Sequence, residues 1–491
     1  MKNKSSGWLI AMLLFFLTAA VFAPTLFCHY VALDDSSYVS KNPHVLSGLS
    51  LENIRWAFHV QQCLWSPLLW ISYMFDSTLL ASKPWAFHLT NLLLHSLNAS
   101  LLFLLLRRMT GKVWLSLIAA VLWSMHPLRV ESVAWIAERK DVLSAFFMFL
   151  ALHAYILFLR SRSKAWYASI LLFMVAGLMV KPMLVTLPVL LLLFDVWPLG
   201  NFSKHWKPLV VEKIPLFICS AVFTVTSSLV LREAISSLEI YSLSDRVGIA
   251  LYNYVFYIGK FCWPFGLASP YSAMIPSLLV ASGAFVLLTG ITLFVLLSIR
   301  RMPFIFTGWF WFCIALTPVC GFIQIGNVTA ADRYTYLPSI GLTVALVWGV
   351  AAFRQIPFKK EIALILAAGL ILLTVRQISF WLNSGALFSR ALAVTENNPV
   401  AHALYGGWLV EEGRLDDAAP HLFRAVSLAP GCYTACNNLG LYFLYRGDFD
   451  RAKICFEAAC NIPGIIFEAK TNLEICRLSM EKKSKCGEEG K

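Results

Sequence analysis

Charge is scarce in this chain and acid scarcer than base: 14% of its 491 residues are charged, with 40 Lys or Arg against 27 Asp or Glu, while 59% are hydrophobic. So little charge at a mean hydropathy of +0.70 excludes an ordinary soluble globule and defines a polytopic membrane protein. The formal charge of +13 comes with no nucleic-acid motif, and excess Lys and Arg in a membrane protein sits in cytoplasmic loops. Nucleic acid is therefore not an expected partner. Metal punctuation is lacking too. The twelve cysteines form no CxxC pair, and several lie inside apolar runs, where Cys acts as a small hydrophobe. Six of them, Cys432, Cys436, Cys455, Cys460, Cys476 and Cys486, fall in the C-terminal region, where a disulfide is left open. His29, His44, His88, His95 and His126 have no ligand spacing and read as interfacial or hydrogen-bonded structural groups. The N-terminus lacks a usable cleavage site, because Pro24 follows Val21-Phe22-Ala23, and Cys28 lacks the small preceding residue of a bacterial lipoprotein. Trp8 to Phe27 reads as a retained signal anchor.

What is present is a series of apolar runs. Beyond the first come Ala86 to Leu106, Val113 to Met125, Val142 to Leu159, Trp166 to Val180, Met183 to Trp197, Ile214 to Leu231, Ser277 to Ser298, Phe304 to Phe322, Leu337 to Phe353 and Glu361 to Val375. A short amphipathic helix is expected over Leu49 to Val60, and the Pro-broken run Trp65 to Leu80 is placed at the interface. Basic residues mark alternate loops, from Lys2 and Lys4 through Arg107-Arg108, Arg160, Lys204, Arg300-Arg301 and Arg354 with Lys359-Lys360, provided that Ile249 to Phe265 does not cross. The expected fold is thus an all-α polytopic bundle of 11 spans, with a cytoplasmic N-terminus and an exoplasmic C-terminus.

After the last span the pattern changes. Gly406 and Gly440, Gly413 and Gly447, Ala418 and Ala452, Leu422 and Phe456, and Ala425 and Ala459 all recur at 34 residues. That period, with Pro430 near a repeat end, resembles the tetratricopeptide repeat. Phe388 and Ala391 extend the register upstream, and Thr471 to Lys482 reads as a capping helix. The expected division is a membrane domain over residues 1–378 and a short repeat solenoid over 379–491, which leans on the membrane domain because so few repeats bury little surface alone.

With the topology set by basic loops, four polar islands fall on the exoplasmic side: Asp34-Asp35, His126 to Asp141 (HPLRVESVAWIAERKD), Lys181, and Asp332-Arg333-Tyr334. Ionisable groups at span ends are costly and usually functional. Acids beside bases suit group transfer from a lipid-linked phosphate: a carboxylate takes the acceptor's proton, while Arg and Lys stabilise the departing phosphate. Trp135, Tyr334 and Tyr336 offer stacking surfaces. Plainer readings stand beside these. Asp34-Asp35 before Ser36-Ser37 fits a helix cap, Glu131 with Arg139 or Lys140 fits a solvated ion-pair face, Lys181 before Pro182 fits a snorkelling turn, and Asp332-Arg333 fits an adjacent-charge turn. Asp195, away from the islands, reads as a helix-to-helix contact.

The order of these blocks, with HLTNLLLH at His88 to His95 and DRYTYLPS at Asp332 to Ser339, resembles the transmembrane-and-tetratricopeptide protein O-mannosyltransferases and their bacterial relatives, of the glycosyltransferase C fold. The resemblance implies inverting transfer of a sugar from a polyprenyl-phosphate donor to a hydroxyl acceptor, a protein or peptide, at the exoplasmic face of a membrane, the bacterial inner membrane being favoured. It implies Asp34 as general base, Asp35 orienting the acceptor or helping a metal, and Glu131 lining the cavity. Arg139, Lys140, Lys181 and Arg333 would handle the donor phosphate, and His126, Arg129, Trp135, Asp332, Tyr334 and Tyr336 would line the substrate. A hard divalent ion, Mg or Mn, on Asp34, Asp35 and Glu131 is left open, since a general base alone needs none. Two positions depart from the pattern: Ser66-Pro67 where relatives place Arg-Pro, and Pro182 where an acid usually follows the lysine. Two rivals remain, a membrane scaffold whose repeats bind a partner, and an envelope glycan or lipid ligase or transporter.

Overall fold

Apolar runs with no water to satisfy their backbone must close their own hydrogen bonds, and those of this chain do so as helices. The computed structural model describes residues 2–61, 64–80, 82–230, 241–323, 328–353, 359–462 and 467–489, and among these the only extended pairing is an isolated bridge between Gln61 and Leu64. Leu231 and Arg354, used above to place spans and loops, lie outside the described residues.

Each of the eleven expected segments carries a helix, but they differ in reach. Gly7–Phe27, Pro84–Thr110, Ile136–Ser161, Leu278–Ser298 and Lys360–Ser379 are long and apolar enough to cross a membrane, and two bent pairs, Val113–Ser124 with Pro127–Ala134 and Phe202–Val211 with Ile214–Val230, bring the number to seven. Lys164–Leu178, Pro182–Val196, Pro303–Val319 and Ser339–Ala352 are 10–17 residues long, below the roughly 20 a hydrocarbon core asks of one helix. Length and composition therefore support five to seven crossings in an integral membrane protein. Length and composition by themselves do not single out the expected eleven, since segments such as those starting at Pro182 and Pro303 form helices of at most 17 residues. The helix Leu243–Cys262, over the segment read as non-crossing, is not among the long apolar ones.

Pro84–Thr110 and Ile136–Ser161 are more than half buried and form the centre, whereas Leu278–Ser298 and Lys360–Ser379 are buried over only 11% of their apolar windows. Pro303–Leu316 and Ser339–Ala352 cross where Gly308 and Gly341 face each other, and a Cβ on either would strike the other's carbonyl oxygen. The run Trp65 to Leu80, expected at the interface, forms the helix Pro67–Leu79 with Leu69, Trp70, Tyr73, Met74 and Asp76 in the core. The short helix expected over Leu49 to Val60 runs Leu51–Ala57, capped by Ser50.

Downstream, Pro399–Glu411, Leu415–Leu428, Tyr433–Tyr445 and Phe449–Cys460 pack in sequence. The 34-residue period has a physical cause: a Cβ on Gly406 would lie 2.6 Å from Leu422, and one on Gly440 2.6 Å from Phe456, so glycine lets the two helices of each pair approach. Gly413 and Gly447 turn each pair with φ of +74° and +75°. The helix Ser384–Val394 puts Leu387 and Phe388 into the same core as Ile378 and Trp381. Cys432, Cys436, Cys455, Cys460 and Cys476 are free thiols, and the Cys486 side chain lies outside the described residues.

Candidate active site

The block HPLRVESVAWIAERKD lies in the interior of the protein. Every residue from Leu122 to Arg139 is buried. The chain leaves Val113–Ser124, bends by 59°, makes three short turns, and enters the helix Arg139–Ser161. A solvated ion-pair face at Glu131 and Arg139 is thereby excluded, since these side chains are 2% and 0% exposed.

Buried charges need partners, and the partners found sort the candidates into two groups. One group holds the fold. Arg139 lies 2.5 Å from Asp76 and donates to Asn91 Oδ1, Ser72 O and Phe87 O, with Tyr73 under its guanidinium. Its donors are thus used within the protein. Arg129 donates to Thr335 O at 3.0 Å and Oγ1 at 2.7 Å. His126 contacts Phe261 O and accepts from Leu128 N, while Tyr336 OH meets His95 and Asn98. Asp35, 1% exposed, accepts at Oδ2 from Val31 N and at Oδ1 from Ala137 N, both at 3.0 Å. Burial pushes its carboxyl up to about 7, against the pull of those two amides. Both oxygens of Asp35 tie the loop after the first helix to the buried block.

The other group forms a charge cluster. Arg333 donates to Glu131 Oε1 through Nη1 at 2.7 Å and through its backbone N to Oε2 at 2.9 Å, and its Nε lies 3.1 Å from Glu138. Ser269 adds a bond to Glu131 Oε1. Glu138 also meets Lys140 at 3.3 Å and Lys181 at 3.6 Å, and Lys181 meets Asp141 at 2.6 Å. Trp135 and Tyr334 flank the Arg333 guanidinium at 5.2 and 4.9 Å. Lys140, Lys181 and Arg333 keep 13–14% of their side chains exposed, while Glu138 keeps 2%. Asp34 stands beside this cluster half-buried, with no hydrogen bond on its carboxylate among the described residues. Burial raises its pKa, opposed by the nearby Lys140 charge. Asp332, 3% exposed, accepts from Tyr271 OH at 2.7 Å, and burial together with Glu131 pushes it up to about 8.

Glu138 and Asp141 were legible in the quoted block but passed over; three residues apart, flanking Arg139-Lys140 at a helix start, they face one side. Asp76, Ser269 and Tyr271 carry no local signal. Among the described residues no group of three or more His, Cys, Asp or Glu side chains is arranged to hold a metal ion. Of the suggested set, Glu131 faces Arg333 and Asp35 faces backbone amides, a donor set unsuited to a shared ion. Asp195 does bridge helices, meeting Tyr155 OH at 2.6 Å and Lys213 at 2.8 Å.

No protein-family model matches the chain. It is 31% identical over 139 residues to the protein O-mannosyl-transferase Tmtc2 of Drosophila melanogaster, 27% of this chain and 15% of that protein. It is 25% identical over 395 residues to human protein O-mannosyl-transferase TMTC4, covering 67% of this chain and 53% of the relative. The chain thus spans about half, or much less, of the length of these relatives. Among solved structures, ArnT from Cupriavidus metallidurans, crystallised with undecaprenyl phosphate, aligns over 97% of this chain and 77% of its own at 16% identity, with a TM-score of 0.37, too low to bear on fold or ligand. By sequence, this chain is similar to the protein O-mannosyl-transferases of the TMTC group.

Proposed function

We propose that this protein is a membrane glycosyltransferase that moves a sugar, mannose by likeness to its relatives, from a polyprenyl-phosphate donor to a hydroxyl of a protein acceptor, with inversion. The observation that carries this reading is one uncommitted carboxylate, Asp34, in the field of Lys140 and Arg333, in a cluster whose third partly exposed cation is Lys181. Asp34 takes the acceptor proton, and its burial raises its basicity. The donor phosphate displaces the two loosest contacts, Lys140 and Lys181 to Glu138 at 3.3 and 3.6 Å, and leaves the tight Arg333–Glu131 pair as the wall of the site. Trp135 and Tyr334, against Arg333, give the sugar or first prenyl unit a flat surface. Asp35 and Glu131 become positioning groups.

In this reading residues 1–378 form the glycosyltransferase unit and residues 379–491 a tetratricopeptide solenoid that presents the acceptor, on the exoplasmic side of a bacterial inner membrane. A scaffold reading draws on a different observation: the carboxylates Asp35, Glu131, Glu138 and Asp141 all have partners inside the protein, as in a structural staple. Membranes carrying wild type or Asp34→Asn, supplied with radiolabelled polyprenyl-phosphate sugars and fractionated into lipid, glycan and protein, decide between them. Transfer to protein by wild type alone, reduced about 10²- to 10⁴-fold in the variant, supports the enzyme. Equal transfer removes Asp34 as base, and no transfer by folded wild type favours the scaffold.

A further inference from the structure

A second group of cations sits outside this site, at the seam where the last long apolar helix meets the repeats. Arg376 lies exposed in the last turn of Lys359–Ser379. Four residues on, the Phe380 ring lies 4.6 Å under the guanidinium of Arg390, which belongs to Ser384–Val394. Lys260 joins them from the helix Leu243–Cys262. Its ammonium donates to the carbonyls of Phe265 and Gly266 at 2.8 and 3.0 Å, leaving one of three donors, and it sits 5.6 Å from the Tyr271 ring.

Among the described residues none of the three makes an ion pair, and Arg390 Nε is buried without a hydrogen-bond partner. Packing brings them to one seam: the Tyr271 ring, beside the Lys260 ammonium, packs in the same apolar cluster as Ala391, the residue after Arg390, and Phe380, under Arg390, follows Arg376 by four residues. The charges of Arg376 and Arg390 oppose each other, while Asp332 favours that of Lys260. Like charges gathered with spare donors favour an anion, and two guanidinium forks suit phosphate oxygens. The apolar side is supplied by Leu372, exposed on the same face one turn before Arg376, with the exposed Val375 beside it, and by Leu382. A cation at the end of a membrane-length helix, above exposed Leu and Val, stands at headgroup level.

We propose that Arg376, Arg390 and Lys260 hold the phosphate of an anionic membrane lipid at the junction of the bundle and the repeats. The site adjoins the candidate active site, since Lys260 lies against Tyr271, which donates to Asp332, but its test reads lipid retention and does not rest on the sugar-transfer reading.

The test uses the full chain, wild type and Arg376→Gln/Arg390→Gln, in mixed micelles with phosphatidylglycerol or phosphatidylcholine, scored by native mass spectrometry for retained lipid. Arg300→Gln/Arg301→Gln, at another helix end, is the control, and Arg376→Gln alone, an exposed change, is used if the double variant fails to fold. Selective retention of phosphatidylglycerol by wild type and control, reduced about fivefold for each arginine removed, supports the site. Equal retention in all proteins overturns it. A further arm adds inorganic phosphate: displacement of the lipid at millimolar phosphate would show an adventitious ion site and overturn the lipid assignment, while undisturbed retention supports it.

Discussion

At the scale of the residue, neighbours in sequence have opposite fates. Asp34 and Asp35 are adjacent, yet Asp35 has both oxygens on backbone amides while Asp34 has none so occupied. A general base with a raised pKa loses its working form as pH falls through that value. The acid limb of a transfer-rate profile is therefore expected above the ordinary carboxylate range, and it should vanish in the residual rate of Asp34→Asn. Asp332 gives a stability prediction. Its folded value of about 8 lies above the unfolded 3.8, so the folded state holds an extra proton between them and stability falls as pH rises across that window. Asp332→Asn, which mimics the neutral acid and still accepts from Tyr271, should flatten the decline of the thermal midpoint between pH 4 and pH 8. An unchanged slope would remove Asp332 as its source. Arg139→Met alone should cost about 3–5 kcal/mol by stranding Asp76, and Asp76→Leu should restore much of it. If instead the single variant keeps its midpoint and loses only donor affinity, Arg139 serves the substrate.

At the scale of the element, glycine decides where helices touch. Gly341 meets the Gly308 carbonyl, a backbone group with no rotamer to yield. Gly341→Ala should push Ser339–Ala352 away from Pro303–Leu316 and carry the Asp332 to Thr335 turn with it. A loss of about 1–3 kcal/mol with a parallel fall in activity is expected, read from the thermal midpoint and the transfer assay. Gly440→Ala should cost a similar amount but be relieved by Phe456→Leu, because there the obstacle is a side chain.

At the scale of the molecule, the two expected domains are joined through the site. His29 N donates to Leu382 O at 2.9 Å and Ala32 N to Ser384 Oγ at 2.8 Å, so the loop that carries Asp34 is held by residues beyond the expected boundary at 378. Asn398 donates to Pro270 O on the strand of loop before Tyr271. A chain ended at residue 378 should lose the burial of Trp381, Leu387 and Phe388 and unfold at lower temperature in detergent, whereas one ended after Val394 should retain it. Equal midpoints would show that the repeats merely rest on the bundle.

Sequence by itself determined the membrane class, the positions of the helices and the 34-residue period, because hydropathy and helix packing repeat along neighbouring residues. It also located the blocks that carry charge. Only the tertiary structure decided which charges are spent on the fold and which are left for chemistry. Arg139 finds Asp76, Glu131 finds Arg333, and Asp35 finds Ala137, partners between 63 and 202 residues apart in the chain. A charge's role is set by its nearest partner in space, an opposite charge or a backbone amide, and no local pattern carries that information.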